Sequence, residues 1–374
     1  MVDERYLPIL FLYIASFLIG GLASISLSKK YYTEKERAQF YDENFFNRFN
    51  IVFIFSLSMT IAQVIKIGNF ALLSENKLIR SMNENLGGYI DYPSDLITPL
   101  AVLSIFAYTS TRKNIYISYF ILATLIQTLQ LNRLEVLICI IGGGFAYFTL
   151  KKVRLGTIVT TTSTGIISLY LLIGGLQILR HGSDKLSRTL DAVQLPFWII
   201  HGDLTDAMRL GHYITDIVEP GALAGRYSFG AYLSVVIPNF RDHGAEYIRA
   251  NYTEAQTAQS ISAPFSYFLD GGYLMVSAVG AIQGAIAAIL WKTARRTRNP
   301  FWMLLYVIQL FWLLWTLRAG SLSIPPVFLY QAAAMLFVCY GLHKAQRIGA
   351  IPMAIIVAFL ATIPVSTLFM IARL

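Results

Sequence analysis

The sequence predicts an all-α polytopic membrane protein with about ten transmembrane helices and one large outer loop. The 374-residue chain is 56% hydrophobic and only 14% charged, whereas a soluble domain usually carries about a quarter charged residues. Its apolar residues form long runs, and runs of roughly 18 or more indicate membrane-spanning helices. Lysine and arginine concentrate in alternate connections between these runs, as the positive-inside rule predicts.

The apolar runs predict spans at residues 6–28, 50–72, 96–111, 114–131, 134–150, 157–179, 264–291, 300–317, 324–342 and 349–372. Most connections are short, but the one at 180–263 is long and keeps apolar and aromatic residues, which is typical of a functional loop or a small subdomain. The predicted organisation is a first membrane bundle of about six spans (1–179), a large, partly helical loop (180–263) and a second bundle of about four spans (264–374). Together they form one integrated domain.

The orientation follows from the basic residues of the short connections. Sixteen lysines and arginines lie in the odd-numbered connections and six on the even-numbered side, leaving the long loop aside. The richer side is expected to be cytoplasmic, which places the long loop outside. The net charge of +9 is explained by this asymmetry, so nucleic acid is not expected as a partner.

Acidic residues and histidines concentrate in the long loop. Eleven acidic residues follow Asp95 and nine of them lie in the loop, as do four of the five histidines. The simpler interpretation is a solvated loop, where polar residues belong. The concentration of acidic residues and histidines in this loop nevertheless predicts that any proton chemistry takes place at the outer face.

Four charged residues lie within or at the ends of predicted spans, always in the outer half: Lys66, Arg133, Asp270 and Arg318. Charges in such places are costly and are often functional. Each also has a local explanation: Lys66 reaching the headgroups, Arg133 pairing with Glu135 or capping a turn, and Asp270 capping the seventh span. Together they predict a mostly cationic outer cavity suited to phosphate oxygens, such as those of a lipid-linked diphosphate.

Recognised motifs for metals and cofactors are missing from the sequence. It has no HExxH, DxD, Walker A, GxGxxG or GxSxG pattern and no histidine pair at helical spacing. The acid pair Asp203 and Asp206 is by itself a weak signal. Neither a metal nor a cofactor is therefore expected.

Three short motifs in this architecture resemble the Wzy-type O-antigen (oligosaccharide repeat-unit) polymerases, within the broader GT-C-like membrane glycosyltransferases. The first is an arginine at an outer span start followed by glycines, Arg133 to Gly144, which also fits an Arg-x10-Gly spacing. The second opens a span with an aromatic residue, an acid and glycines, from Tyr267 and Asp270 to Gly284. The third is Arg318-Ala319-Gly320-Ser321.

The resemblance implies a metal-independent glycosyltransferase of the bacterial inner membrane with its large loop in the periplasm. Such polymerases transfer a growing glycan from undecaprenyl diphosphate to the non-reducing end of a new lipid-linked repeat unit. The expected partners are the undecaprenyl diphosphate-linked oligosaccharide, membrane lipids and a polysaccharide chain-length regulator.

The chemistry assigns roles to the candidate residues. Arginines stabilise a leaving diphosphate, and a positioned carboxylate or histidine serves as base for the attacking hydroxyl. The candidates for acid–base catalysis are His201, Asp203, Asp206, His212, Glu219 and Asp270. Those for binding diphosphate or sugar are Lys66, Arg133, Arg226, Arg241, Arg249, Arg318, Tyr227 and Tyr267, with Trp198 and Tyr213 as further aromatic surfaces.

Other functions stay open. An O-antigen ligase shares the architecture and differs in its acceptor, and polymerases of capsular or exopolysaccharides are equally similar. A transporter or flippase of lipid-linked oligosaccharides would be expected to show internal repeats and charges near the middle of the membrane. A structural or receptor membrane protein has no clear use for the embedded cations.

Overall fold

The computed structural model describes residues 6–27, 43–70, 88–130, 133–150, 207–229, 261–297, 300–316 and 326–339, with isolated positions at 156, 160, 163, 164 and 251. In chain order its helices are α1 (Tyr6–Leu27), α2 (Glu43–Ile67), α3 (Gly88–Ser94), α4 (Ile97–Thr111), α5 (Ile115–Leu129), α6 (Arg133–Leu137), a π-helical turn (Ile138–Gly142), α7 (Gly143–Leu150), α8 (207–217), α9 (Ala263–Thr297), α10 (Pro300–Thr316) and α11 (Pro326–Val338). No strand occurs among these residues.

Apolar helices dominate the part of the chain that the structure describes. Four of them are long and apolar enough to cross a membrane, namely Leu7–Ser26, Asn44–Ile67, Ile90–Thr109 and Ala263–Arg295, and four shorter ones are Ile115–Leu129, Glu135–Phe148, Pro300–Leu313 and Val327–Val338. These helices indicate an α-helical, membrane-embedded protein and coincide with eight predicted spans. The predicted spans at 157–179 and 349–372 lie outside the described residues, apart from isolated positions.

The second predicted span had the wrong limits. Helix α2 begins at Glu43 rather than at residue 50, because Phe45 and Phe49 are buried and the Phe49 ring packs 5.8 Å from that of Tyr116 on α5. It ends at Ile67 rather than at residue 72. Gly68 has φ of 94° and its N–H donates to the Val64 carbonyl at 2.9 Å, a glycine helix stop.

The described residues belong to two compact units. The first comprises Met1–Glu36, Ile200–Arg296 and Gln309–Phe328, and the second comprises Arg37–Ile199, Thr297–Ile308 and Leu329–Leu374. Each unit combines segments that are distant from one another along the chain. The linear division into 1–179, 180–263 and 264–374 therefore stays a prediction.

Glycines hold α1 against α9 in the first unit. A Cβ placed on Gly20 would overlap the carbonyl group of Ala281, and one on Gly284 would overlap the carbonyl group of Phe17. The two backbones therefore touch, as in membrane helix pairs built on small residues. This contact gives the motif glycine Gly284 a packing role.

A buried chain of hydrogen bonds reinforces the same helix pair. The Tyr13 hydroxyl on α1 donates to Gln283 Oε1 at 2.5 Å, and Gln283 Nε2 donates to the Tyr267 hydroxyl at 2.9 Å. Such interhelical bonds contribute modestly, at about 0.6–2 kcal/mol in membranes. They nevertheless join α9 to α1 at buried positions and so help to fix the rotation of α9 relative to α1.

Part of the long loop packs onto this helix pair. Ile214 and Val218 join one buried cluster with Ile9 of α1 and with Phe265 and Leu269 of α9. Gly211 lies so close to Phe265 that a Cβ would overlap its ring. Helix α8 is therefore a packed part of the first unit.

Helix α9 is interrupted at two glycines. Gly271 and Gly272 have non-helical dihedral angles, and Gly272 has φ of 64° and ψ of −158°, a conformation essentially limited to glycine. The residues at 273–291 alone extend about 28 Å as a helix, close to the roughly 30 Å hydrocarbon core of a bilayer. Residues 263–270 therefore form a separate, buried helical segment before the span.

Helices of the second unit run in alternate directions. One end, the basic end, carries Arg48, Arg112 and Lys113; the Arg48 Nε donates to the Val338 carbonyl at 3.2 Å and Lys113 Nζ lies 5.7 Å from the Phe46 ring centre. The other end, the amide end, carries Gln63, Gln127, Gln130 and Gln331. This alternation agrees with the chain reversals predicted for these helices.

Adjacent glycines of α1 provide a matched test of the glycine contact. We expect Gly20→Ala to lower the unfolding midpoint by several degrees, because its Cβ has no room against the Ala281 carbonyl, and overpacking costs about 1–3 kcal/mol. Gly21→Ala should be tolerated, because its Cβ would lie 3.5 Å from the Gly284 carbonyl oxygen. Thermal unfolding of both variants in detergent provides the measurement, and equal midpoints would contradict the close approach.

Candidate functional site

Asp270 is the best-defined of the predicted site residues. It is the last residue of the segment 263–270, directly before the glycine interruption, and is 6% exposed. A carboxylate so deeply buried requires hydrogen-bond donors. The structure supplies them from the long loop.

Two backbone N–H groups donate to the Asp270 carboxylate, one to each oxygen. The Tyr227 N–H lies 3.0 Å from Oδ1 and the Ser228 N–H lies 2.7 Å from Oδ2. Both donors sit in the first turn of a helical stretch that begins at residue 226, where N–H groups have no helical partner. Asp270 thus caps a helix, but the one in the long loop rather than the seventh span.

The loop also satisfies the backbone of α9. The N–H groups of Gly221 and Leu223 donate to the carbonyls of Phe268 and Leu269 at 3.1 and 3.0 Å. The glycine interruption would otherwise leave these carbonyls without helical donors. We call this two-way set of bonds the Asp270 clasp: Gly221, Leu223, Tyr227 and Ser228 on the loop, with Phe268, Leu269 and Asp270 on α9.

Local glycines allow the loop to turn around the end of this segment. Gly221 and Gly225 have φ of 82° and 84°, in the region that favours glycine. The turn directs Leu223 and Tyr227 into the buried cluster. The Tyr227 hydroxyl accepts a hydrogen bond from the Ile261 N–H at 3.1 Å, and burial raises the pKa of this phenol well above its usual value.

Three other predicted residues surround the clasp on the described loop. Glu219 and Arg226 are exposed on either side of its turn. His212 lies on α8, and its Nδ1 is 3.8 Å from the Asp216 carboxylate, with about 30% of each side chain exposed. Residues 216–220 line an open depression. The first unit therefore presents a histidine, a glutamate and an arginine on a loop segment fixed to α9.

The two predicted tyrosines are buried instead of open to a sugar. Tyr267 is fully buried in the hydrogen-bond chain with Gln283, and Tyr227 is 7% exposed beneath the clasp. A sugar would reach either ring only after the packing opened. Tyr213, by contrast, is 55% exposed on α8.

Predicted cations of the second unit lie near its amide end. Lys66 is exposed in the last turn of α2, and Arg133 is the first residue of α6. Glu135 follows within the same turn and is only partly exposed. Both cations therefore lie at the same end of this unit, and their position at the outer face stays a prediction.

A π-helical turn follows Arg133 within its glycine motif. Wide turns of this kind are frequent at functional sites. Beyond it, a Cβ on Gly142 would lie 2.9 Å from Val102 and Val307, and one on Gly143 would lie 2.9 Å from Phe120. Gly144, the glycine of the Arg-x10-Gly spacing, has open space around its Cβ position. Packing therefore explains the first two glycines and leaves Gly144 without a packing role.

Glutamines of the amide end were missed by the sequence analysis. Gln63 Nε2 donates to Asp91 Oδ1 at 3.0 Å, and Gln130 Nε2 donates to Gln63 Oε1 at 3.4 Å. Gln127 Nε2 donates to Thr98 Oγ1 at 3.1 Å. The available signal was the recurrence of amide side chains at the same end of successive apolar helices.

Other predicted residues lie outside the described residues: His201, Asp203, Asp206, Arg241, Arg249, Arg318 and Trp198. Among the residues that the structure does describe, no group of three metal-ligating side chains occurs.

Comparison with known proteins found no relatives. No protein-family model, no curated protein and no solved structure matches the chain.

The Asp270 clasp can be tested by its effect on the loop. We expect Asp270→Ala to speed hydrogen exchange of the Tyr227 and Ser228 amides at least ten-fold, because both lose a charge-assisted acceptor, a loss of about 1.5–3 kcal/mol per bond. Exchange measured by mass spectrometry on the full chain in detergent reports this directly. Asp216→Asn, in the same loop segment, is the matched control. Unchanged protection in Asp270→Ala would show that the clasp does not hold the loop.

Proposed function

We propose that this chain is a bacterial envelope polysaccharide polymerase, a metal-independent glycosyltransferase. It transfers a growing glycan from undecaprenyl diphosphate to the non-reducing end of a new lipid-linked repeat unit. In this proposal the chain crosses the inner membrane about ten times, with the loop at 180–263 in the periplasm. The proposal rests on the resemblance of its motifs together with the geometry below.

The observation that carries the proposal is the attachment of the loop to α9. A solvated linker would not be expected to form such bonds with a membrane helix. Residues 221–228 donate N–H groups to carbonyls of α9 and also receive the Asp270 carboxylate as a cap. The clasp holds Glu219 and Arg226 at a fixed place beside the start of a span. A transferase acting on lipid-linked sugars needs its acid–base groups there, because the reacting bond lies next to the membrane surface.

The reaction needs a base for the acceptor hydroxyl and cations for the leaving group. The hydroxyl oxygen attacks the anomeric carbon of the donor and loses its proton to the base, while the bond from that carbon to the diphosphate oxygen breaks. Glu219 is exposed and His212 is half-buried, and a carboxylate or imidazole of this kind can accept the proton. Arg226, exposed on the same loop segment as Glu219, is a candidate to stabilise the diphosphate charge, and Lys66 and Arg133 remain candidates from the sequence.

Asp270 takes a different role in this proposal. Both of its carboxylate oxygens already accept a backbone N–H, which leaves it poorly placed to take a proton from a sugar. We therefore assign it a positioning role, in which it holds the loop that carries the base.

Arginine substitutions test the proposed function in cells. In a polymerase-null strain we expect Arg133→Ala and Arg318→Ala each to abolish long-chain polysaccharide at normal protein levels, because the leaving diphosphate loses its stabilising charge. Lys113→Ala, which removes an exposed cation at the basic end, is the matched control and should preserve the polymer. Gel analysis of extracted polysaccharide gives the readout.

Gel patterns also separate the alternatives. A ladder collapsed to a single repeat in the deletion strain supports a polymerase, whereas free polymer beside bare core would identify a ligase. Long polymer retained in both arginine variants would refute the proposal.

Acid–base assignment can be tested separately. We expect Glu219→Gln or His212→Gln to slow glycan transfer by about a hundred- to ten-thousand-fold, the usual contribution of a general base. The protein level should not change, because neither residue belongs to the buried cluster. Polymer formation in membranes from cells expressing each variant provides the measurement, with Arg209→Gln, which changes an exposed side chain of α8, as control. Normal rates in both variants would exclude these two residues as the base.

A further inference from the structure

The segment at 263–270 folds back along α9 instead of extending it. Gln283 Nε2 donates to the Tyr267 hydroxyl at 2.9 Å, and the Tyr267 ring lies 6.2 Å from the Tyr13 ring of α1. In one continuous helix, a separation of 16 residues covers about 24 Å, which is more than two side chains can bridge. The chain therefore reverses its direction at the glycine interruption.

This reversal brings the segment to the depth of the membrane span. The span begins after the interruption, at residue 273, and Gln283 lies about 15 Å further along the helix. That distance is half of a hydrocarbon core roughly 30 Å thick. Val279, in the first half of the span, shares one buried cluster with Phe265 of the segment. The segment thus lies beside the N-terminal half of the span.

Helix α8 runs beside this segment in the same direction. The Ser262 N–H donates to the Ala207 carbonyl at 3.4 Å, and Gly211 lies against the Phe265 ring further along. The Asp270 clasp joins the two elements at the other end. Ala207 is therefore at the deep end of α8, and the clasp is at its shallow end.

The sides of α8 differ in polarity. Successive residues of a helix are about 100° apart around its axis, so residues three or four positions apart share a side. One exposed side, the charged edge, carries Arg209, His212 and Asp216, and the neighbouring apolar edge carries Tyr213 and Ile217. The remaining side faces the buried cluster.

The apolar edge of α8 is exposed at a level where acyl chains surround a membrane protein. Tyr213 and Ile217 are 55% and 51% exposed and lie one helical turn apart. The shallow end of α8 reaches the start of the span, because a Cβ on Gly272 would lie 3.5 Å from Pro220. Leu274, in the first turn of that span, is 80% exposed, as expected of a side chain in lipid. The apolar edge and the start of the span therefore lie close to one another in depth.

The charged edge has a different requirement. His212 and Asp216 lie 3.8 Å apart on this edge, and residues 216–220 line an open depression at the shallow end of α8. Charged side chains at membrane depth face the protein interior or a water-filled cavity, because lipid does not solvate them. This edge therefore requires water, which the depression can admit.

We propose that α8 is a re-entrant helix whose residues Tyr213 and Ile217 contact lipid acyl chains, while its charged edge borders an aqueous cleft. This part of the long loop then lies in the membrane and not above it. Irregular backbone is tolerated at such a depth where protein satisfies it, and the clasp supplies hydrogen bonds to the turn that follows α8. The inference goes beyond the proposed function and does not depend on it.

Spin-label accessibility tests the depth of α8. The full chain, with the buried cysteines changed by Cys139→Ala and Cys339→Ala, is studied in lipid nanodiscs with one label at a time. We expect labels at Tyr213→Cys and Ile217→Cys to collide several-fold more often with oxygen, which partitions into lipid, than with a water-soluble nickel chelate. A label at Arg209→Cys should show the opposite preference.

Reference positions calibrate this measurement. Leu274→Cys reports the lipid-exposed start of the span, and Lys113→Cys reports an exposed turn between helices. Thermal unfolding of each labelled variant identifies any that lose structure. A second measurement avoids the cysteine background: the photoreactive residue benzoylphenylalanine is incorporated at Ile217 in the otherwise unchanged chain, and mass spectrometry identifies what it captures. We expect a phospholipid adduct.

Three results would overturn the inference. A preference for the nickel chelate at both apolar positions places α8 in water. Low collision rates with both reagents show that protein covers the apolar edge, and so does a crosslink from Ile217 to a second copy of the chain or to another protein. Since none of these measurements depends on polymer formation, the inference and the proposed function can fail separately.

Discussion

The Asp270 clasp is the interaction on which the first unit depends. Two glycines interrupt α9, and an interrupted helix leaves carbonyl groups without helical donors. The loop supplies donors to two of these carbonyls and receives the Asp270 carboxylate as a cap in return. Each partner thus removes the other's unsatisfied groups. Residues 221–228 and the start of α9 are therefore one structural element.

The second unit solves a similar problem with amide side chains. Gln63, Gln127 and Gln130 are buried in apolar helices and satisfy one another or a nearby side chain. Neutral amides bind adjacent helices without the desolvation cost of charges. Cations remain exposed at both ends of this unit, at Lys66 and at Lys113, where water and headgroups can solvate them. Amide side chains therefore fill the interior of this unit, and these two charged side chains lie at its exposed ends.

Most helices were predictable because their cause is local. A long apolar run in lipid has to satisfy its own backbone, so its existence follows from composition alone. Helix ends were less predictable. The early start of α2 depends on Phe45 and Phe49 packing against α5, a contact between segments distant in sequence. The interruption of α9 was visible as Gly271-Gly272, but glycines in membrane helices also serve close packing, as Gly284 does, and the sequence does not distinguish the two uses.

The sequence by itself determined an α-helical membrane class, the approximate position of the described apolar helices and the polar character of the long loop, because hydrophobicity along a single segment controls each of these. It also singled out Asp270. Only the tertiary structure decided what Asp270 does, since its donors Tyr227 and Ser228 lie more than forty residues away. The same holds for Tyr267, which is buried against Gln283, and for the glutamines, whose partners sit on other helices. Hydrogen bonds between distant segments depend on how helices pack, and packing is a property of the whole fold.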